Sequence, residues 1–217
     1  MPQADAQVNG RPPTESTEST ESGGPAAERG AATRARLMEA AAQLIAERGW
    51  GGVTTRLVAE RARVNQALVH YHFGSMDVLL REAAMTRMAP ELTAAVGPLT
   101  GGGPLASALQ EAVASLERFE PGSRSAVLMA EVLLRSTRDP VLADRMGGEI
   151  QAFRAALERR LEEASEAGEI RTDVPPRVLA TIVGATLDGL LLQRMAEADV
   201  DPEDVASGLH RLLTRKE

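Results

Sequence analysis

Asn65, Gln66, His70 and Tyr71 lie close together in the stretch 54–73, TTRLVAERARVNQALVHYHF, and all carry hydrogen-bonding groups. At helical spacing they share the outer side of one short helix with Ala67. Amide and small side chains at a helix start can approach base edges in a major groove, and an imidazole or phenol near its far end can reach phosphate oxygens. This is recognition chemistry. The residue types that serve catalysis do not assemble. His70 and His72 are two apart on a helix and point in different directions, and His210 has no evident Ser or Asp partner. There is no cysteine, and no glycine-rich phosphate loop follows a strand. No catalytic residues, no metal and no cofactor are expected.

Two helices must position that outer side. Leu57, Val58, Ala59 and Ala62 give the first an apolar face, Thr54 stands at its N-cap, and Arg61, Arg63 and Val64 end it. Asn65 can cap the second, in which the periodicity turns Leu68, Val69 and Phe73 inward. The few residues between the runs leave room only for a tight corner, which is the pattern of a helix-turn-helix. Ahead of it, Leu37, Ala41, Leu44 and Ile45 predict a helix over 33–48 with Gly49 as C-cap, and Trp50 plugs the link. Behind it, Gly74 and Ser75 end the second helix and cap another, carried by Val78, Leu79, Ala83 and Met85 toward Pro90.

The composition favours an all-α fold. With 2% aromatic residues the core must be packed by Leu, Val, Ala and Met, which suits helix-on-helix contact. A net charge of -7 argues against a nucleic-acid partner only if it is spread evenly, and it is not. Acidic residues crowd the N-terminal tail and the later helices, whereas the stretch from Arg29 to Arg87 is arginine-rich. Residues 1–30, with the near-repeat TESTESTES, lack apolar periodicity and read as a disordered, solvated tail. No apolar signal region opens the chain, and the apolar stretch 178–192 is interrupted by Thr181, Thr186 and Asp188, so a cytoplasmic protein with no membrane span is expected.

The succession of helix, aromatic link, paired threonines, turn valine, HYHFGS and a leucine-bearing fourth helix resembles the TetR family of transcriptional regulators. The likeness covers about 33–80, and Gly49, Thr54, Ala59, Val64, Phe73 and Leu80 agree in both type and spacing. It implies an N-terminal DNA-binding domain, a helical domain behind it that binds a small effector, and a homodimer on double-stranded DNA. It also implies that Thr54 and Thr55 contact phosphate, that Arg56 reaches phosphate or a base edge, and that Asn65, Gln66, Ala67 and Leu68 face the groove. Three positions depart from the pattern. Arg63 replaces the usual glycine, which costs roughly 1 kcal/mol if the turn needs a positive φ. His70 takes the usual tyrosine position with Tyr71 after it, and Met76 replaces a frequent lysine.

Beyond the fourth helix, 97–98 and 101–104 read as a loop, followed by helical runs at 104–119, 123–136, 140–168, 175–197 and 201–215, with a break possible at Gly147–Gly148. The division expected is a tail over 1–30, a helix-turn-helix domain over 31–80 and a helical effector and dimerisation domain over 81–217, with the fourth helix as the one continuous link. Phe119, Leu128, Met129, Leu133, Phe153 and Met195 are the candidates for lining an effector site, against the plainer reading that they are core. Gly184, Asp188 and Leu191 are the candidates for a dimer interface; a buried acid at 188 must be paired or protonated, by an effector cation or across a dimer axis, unless it caps or meets water at the rim of a close helix contact. The function expected is a ligand-responsive repressor, released from a near-palindromic operator by a small, largely apolar molecule. The alternative is an all-α enzyme or small-molecule carrier containing an incidental helix-turn-helix.

Overall fold

The computed structural model describes residues 25–196 and 201–214, and among these every regular element is helical. The α-helices are α1 (Pro25–Arg48), α2 (Thr55–Ala62), α3 (Ala67–Phe73), α4 (Met76–Thr100), α5 (Leu105–Ser115), α6 (Arg124–Ser136), α7 (Pro140–Glu166), α8 (Pro176–Met195) and α9 (Pro202–Leu213). Short 3₁₀ turns occupy Trp50–Gly52 and Leu116–Phe119. The all-α expectation holds.

Most helix starts are written in the sequence. The side chains of Thr54, Ser75, Ser123, Asp139 and Asp201 accept backbone N–H groups at the starts of α2, α4, α6, α7 and α9, satisfying donors that have no intrahelical partner. Proline stands in the first turn of α7, α8 and α9, where its missing N–H is not needed.

Packing decides where several helices end. Residues 25–30, expected in the tail, belong to α1, whose first turn carries Glu28 and whose sequence here is rich in alanine. The rest of the expected tail, 1–24, and the expected helix ends at 197 and 215 lie outside the described residues. The expected loop at 97–98 is helix: α4 runs on through Pro90 and Pro98 to Thr100, because Met88, Ala95 and Leu99 are buried along its length. Arg160 explains how that end is tolerated. Its guanidinium, on a residue 9% exposed, donates to the carbonyls of Pro98 at 2.5 Å and Gly103 at 2.7 Å, and so satisfies acceptors left at the helix end. α7 passes through Gly147 and Gly148 without a break, and no side chain crowds either position.

One hydrophobic cluster extends from Leu37 to Leu213. α4 packs against α1, α3, α5, α6 and α7, and the boundary expected at 80/81 falls inside it. It is not the sole link between the halves, since α6 also packs against α1. α8 is long and apolar enough by composition to cross a membrane, which the sequence expectation denied it. Its inner face, Leu179, Ala180, Val183, Gly184 and Leu187, is buried and the helix packs on α7. Val178, Ile182 and Leu192 remain exposed on it.

Candidate nucleic-acid interface

The corner between α2 and α3 is made by Arg63, whose φ of 55° and ψ of 49° put it in the left-handed region. Its N–H bonds back to Glu60 O and that of Val64 to Ala59 O, which closes α2 and turns the chain. A glycine adopts this conformation freely, and arginine does so at a cost of roughly 1 kcal/mol. In return the corner presents an exposed cation that has no ion pair among the described residues. Asn65 then starts α3 as expected, its Oδ1 accepting the Ala67 N–H at 2.9 Å. Val69 and Phe73 are buried, which fixes the rotation of α3 and turns Asn65, Gln66, Ala67, His70 and Tyr71 outward, all exposed.

Tyr71 is 80% exposed and its ring meets His72 edge-on. His70 Nδ1 lies 3.3 Å from the Gly74 carbonyl, so that the imidazole is held against the end of α3 while Tyr71 projects. Leu68, inward by periodicity and toward the groove by resemblance, is half-buried and outside the core cluster. Thr54 spends its hydroxyl on the Leu57 N–H at 3.4 Å. Thr55 is half-buried with its hydroxyl 3.9 Å from the Met76 sulfur. Arg56 is exposed and lies 3.6 Å from Glu60.

Behind this face the domain is braced by ion pairs. Arg61 pairs with Glu47 on α1 at 2.7 Å, and its hydrogen bond holds that carboxyl below the usual range. Arg34 on α1 pairs with Glu82 on α4 and stacks over Phe73 with its guanidinium 4.9 Å from the ring centroid. Arg34 and Arg61 are thus occupied, and Arg56 and Arg63 stand on the exposed side.

Residues 37–83 match the family model for bacterial regulatory proteins of the tetR family, and 105–215 match that for the C-terminal part of BetI-type transcriptional repressors. The chain belongs to the TetR family. It is therefore a DNA-binding transcriptional regulator. This TetR-family chain is 27% identical over 179 residues to the HTH-type transcriptional repressor Rv1474c of Mycobacterium tuberculosis, covering 82% of this chain and 90% of that one. It resembles the crystal structure of a transcriptional regulator from Rhodococcus sp. Rha1, with TM-score 0.64 and 28% identity over 82% of this chain and 92% of that one. A regulator from Saccharomonospora viridis, solved in complex with choline, shares the fold with TM-score 0.67 and 23% identity, over 83% of this chain and 95% of that one.

The remaining candidate residues of this TetR-family chain are dispersed. Phe119, Leu128 and Met129 are buried in the core cluster, Leu128 also at the edge of a small pocket with Glu39 and Arg124, whereas Leu133, Phe153 and Met195 are half-buried against it. None of them lines the open groove of about 520 Å³ that Pro104, Leu105, Ala106, Ile170, His210 and Thr214 form between the start of α5, residue 170 and α9. Gly184 is buried, and a Cβ there would meet Phe153 Cε1 at an ordinary contact distance of 3.7 Å. Of the readings open for Asp188, the burial favours a place at the rim. It lies on the exposed side of α8, although partial desolvation still pushes its carboxyl up against the opposing pull of Arg154. Leu191 is half-buried against the core. The sequence marks Trp50 but not Glu131, which joins α6 to it; the bond spans 81 positions, and no local pattern signals a contact of that range.

Proposed function

We propose that this regulator is a cytoplasmic homodimeric repressor that occupies a near-palindromic operator through the outer face of α3 and is released by a small ligand. The observation that carries the reading is the one-sided presentation of Asn65, Gln66, Ala67, His70 and Tyr71 with Arg56 and Arg63 alongside, on a domain whose other side is core. Asn65, Gln66 and Ala67 face base edges, Arg56 reaches a phosphate or a base edge, and Tyr71 and Arg63 take phosphates. Thr54 acts through its cap, and Leu68 contributes its exposed edge. The repressor sense follows relatives such as Rv1474c, named a repressor.

Dimerisation is assigned to the outer side of α8. Val178, Ile182 and Leu192 recur there at helical spacing and are exposed, so an unassociated chain leaves an apolar stripe in water. Asp188 stands beside that stripe, and its raised affinity for a proton suits a carboxyl that association dehydrates further. A two-fold axis along α8 presents two copies of α3 to successive turns of a duplex.

The ligand is assigned to the helices around Leu133, Phe153 and Met195, where incomplete burial leaves side chains free to repack. A small molecule that favours a domain spacing unsuited to DNA shifts the dimer population away from the binding state. The test is a mobility shift with duplexes from the region upstream of the chain's own gene, in the presence and absence of candidate ligands. Retardation of one duplex at concentrations that leave a random duplex unbound supports the reading. Equal affinity for every duplex refutes it.

A further inference from the structure

The link between α1 and α2 is gripped from the far half of the molecule. Gly49, at φ 73°, ends α1. The next residue, Trp50, donates its backbone N–H to Glu131 Oε2 on α6 at 2.7 Å. Glycine suits position 49 through its positive φ, and a Cβ there, 3.1 Å from Glu131 Oε1, would push the carboxylate back by a few tenths of an ångström. One turn further along α6, the Arg135 guanidinium lies 5.7 Å from the centroid of the Trp50 ring. Arg135 also pairs with Asp77 in the first turn of α4 at 3.6 Å and with Asp139 at the start of α7 at 3.4 Å. The indole Nε1 is buried without a hydrogen-bond partner among the described residues, so Trp50 is held by packing, by Glu131 on its backbone and by Arg135 over its ring.

The link is short and internally bonded. Gly52 N donates to Gly49 O at 3.1 Å and Val53 N to Trp50 O at 3.5 Å, and Thr54 then caps α2. A displacement of the Trp50 backbone therefore displaces the start of α2, and α3 with it. We infer that Glu131 is a positioning residue for DNA binding: its carboxylate on the Trp50 N–H, with Arg135 over the Trp50 ring, makes α6 a second mechanical link that sets the attitude of the helix-turn-helix. α4 carries the first link, and Asp77 and Arg135 join the two.

The test uses the full-length chain and the tightest duplex it recovers by selection from random-sequence DNA. Glu131→Ala removes the acceptor while keeping α6 a strong helix former, and Glu131→Gln keeps an acceptor of equal reach without the charge. Trp50 is the only tryptophan, so its emission reports the link directly. Glu131→Ala is expected to weaken binding to the selected duplex about tenfold, shift Trp50 emission and leave affinity for random duplex unchanged. Glu131→Gln is expected to stay within about threefold of the parent. Affinities are compared well below the melting temperature of each variant, where a merely stabilising residue leaves the folded fraction binding normally. Should Glu131→Ala not fold, Glu131→Asp, which withdraws the carboxylate by one methylene, takes its place with the same expectation.

Parent-like binding by the alanine or aspartate variant overturns the inference. So does an equal loss in Glu131→Gln and Glu131→Ala, because that assigns the effect to charge. The inference rests on α2 and α3 being the DNA face. Recovery of no preferred duplex by the parent refutes that reading, whereas a preferred duplex bound alike by all variants refutes only the role of Glu131.

Discussion

Arg81 on α4 donates to Asp139 at the start of α7 at 2.9 Å, and the Asp139 side chain is only 4% exposed. Burial opposes the charge on Asp139, but the hydrogen bonds from Arg81 and the Leu142 N–H, with the charges of Arg81 and Arg135, outweigh it and hold the carboxyl below its usual range. The folded value lies under the unfolded one. The contribution to stability is therefore complete above the ordinary aspartate pKa of about 3.9 and is lost as pH falls through the folded value. Asp139→Asn should cost about 1.5–3 kcal/mol at pH 7, and the difference from the parent should shrink toward zero in strong acid. Urea unfolding of both proteins across pH 2–7 checks this; a difference independent of pH would contradict it.

Arg56→Ala should weaken operator binding by about 1–3 kcal/mol if its guanidinium reads a base, and should relax preference at that base pair. Tyr71→Phe should weaken binding to all duplexes alike, as expected for a phosphate contact. Affinity should fall steeply as salt rises from 50 to 200 mM, with a shallower slope once a phosphate contact is removed. Binding titrations on operator and random duplexes separate these effects, and unchanged affinity in both variants would place the DNA face elsewhere.

The dimer is best probed at Ile182, which is 47% exposed, because Leu191 is partly packed against its own core and a charge there would damage the fold. Ile182→Glu should give monomers that melt cooperatively and no longer bind the full operator tightly. Sedimentation and binding are measured on the same sample. A dimer that persists would exclude this face.

Arg160→Met should cost roughly 1–3 kcal/mol, since it keeps the aliphatic packing but leaves the Pro98 and Gly103 carbonyls without their donor. Hydrogen exchange should then rise first in residues 99–105. Uniform protection in that segment would show that another group takes over.

Much of the DNA-binding half is legible in the sequence because its determinants are local. Thr54, Asn65, Gly74 and Ser75 act within four residues of themselves, and the burial of Val58, Ala59, Val69 and Phe73 follows from helical periodicity. The same local rules misjudge 97–98, since Gly-Pro signals a break wherever packing does not override it. They leave Asp188 undecided, because whether a polar residue in an apolar helix faces in or out depends on what α7 covers.

The all-α class, the helix-turn-helix and the residues on its outer face were determined by the sequence alone, through capping, turn length and period, which act over a few residues. The course of α4 past two prolines, the hold of Arg160 on the Pro98 and Gly103 carbonyls, and the grip of Glu131 on the Trp50 N–H were decided only by the tertiary structure. They arise where helices far apart in the chain are forced together. A contact between residues 50 and 131 stabilises only once α1, α4 and α6 have packed, so no stretch of sequence shorter than the fold contains it.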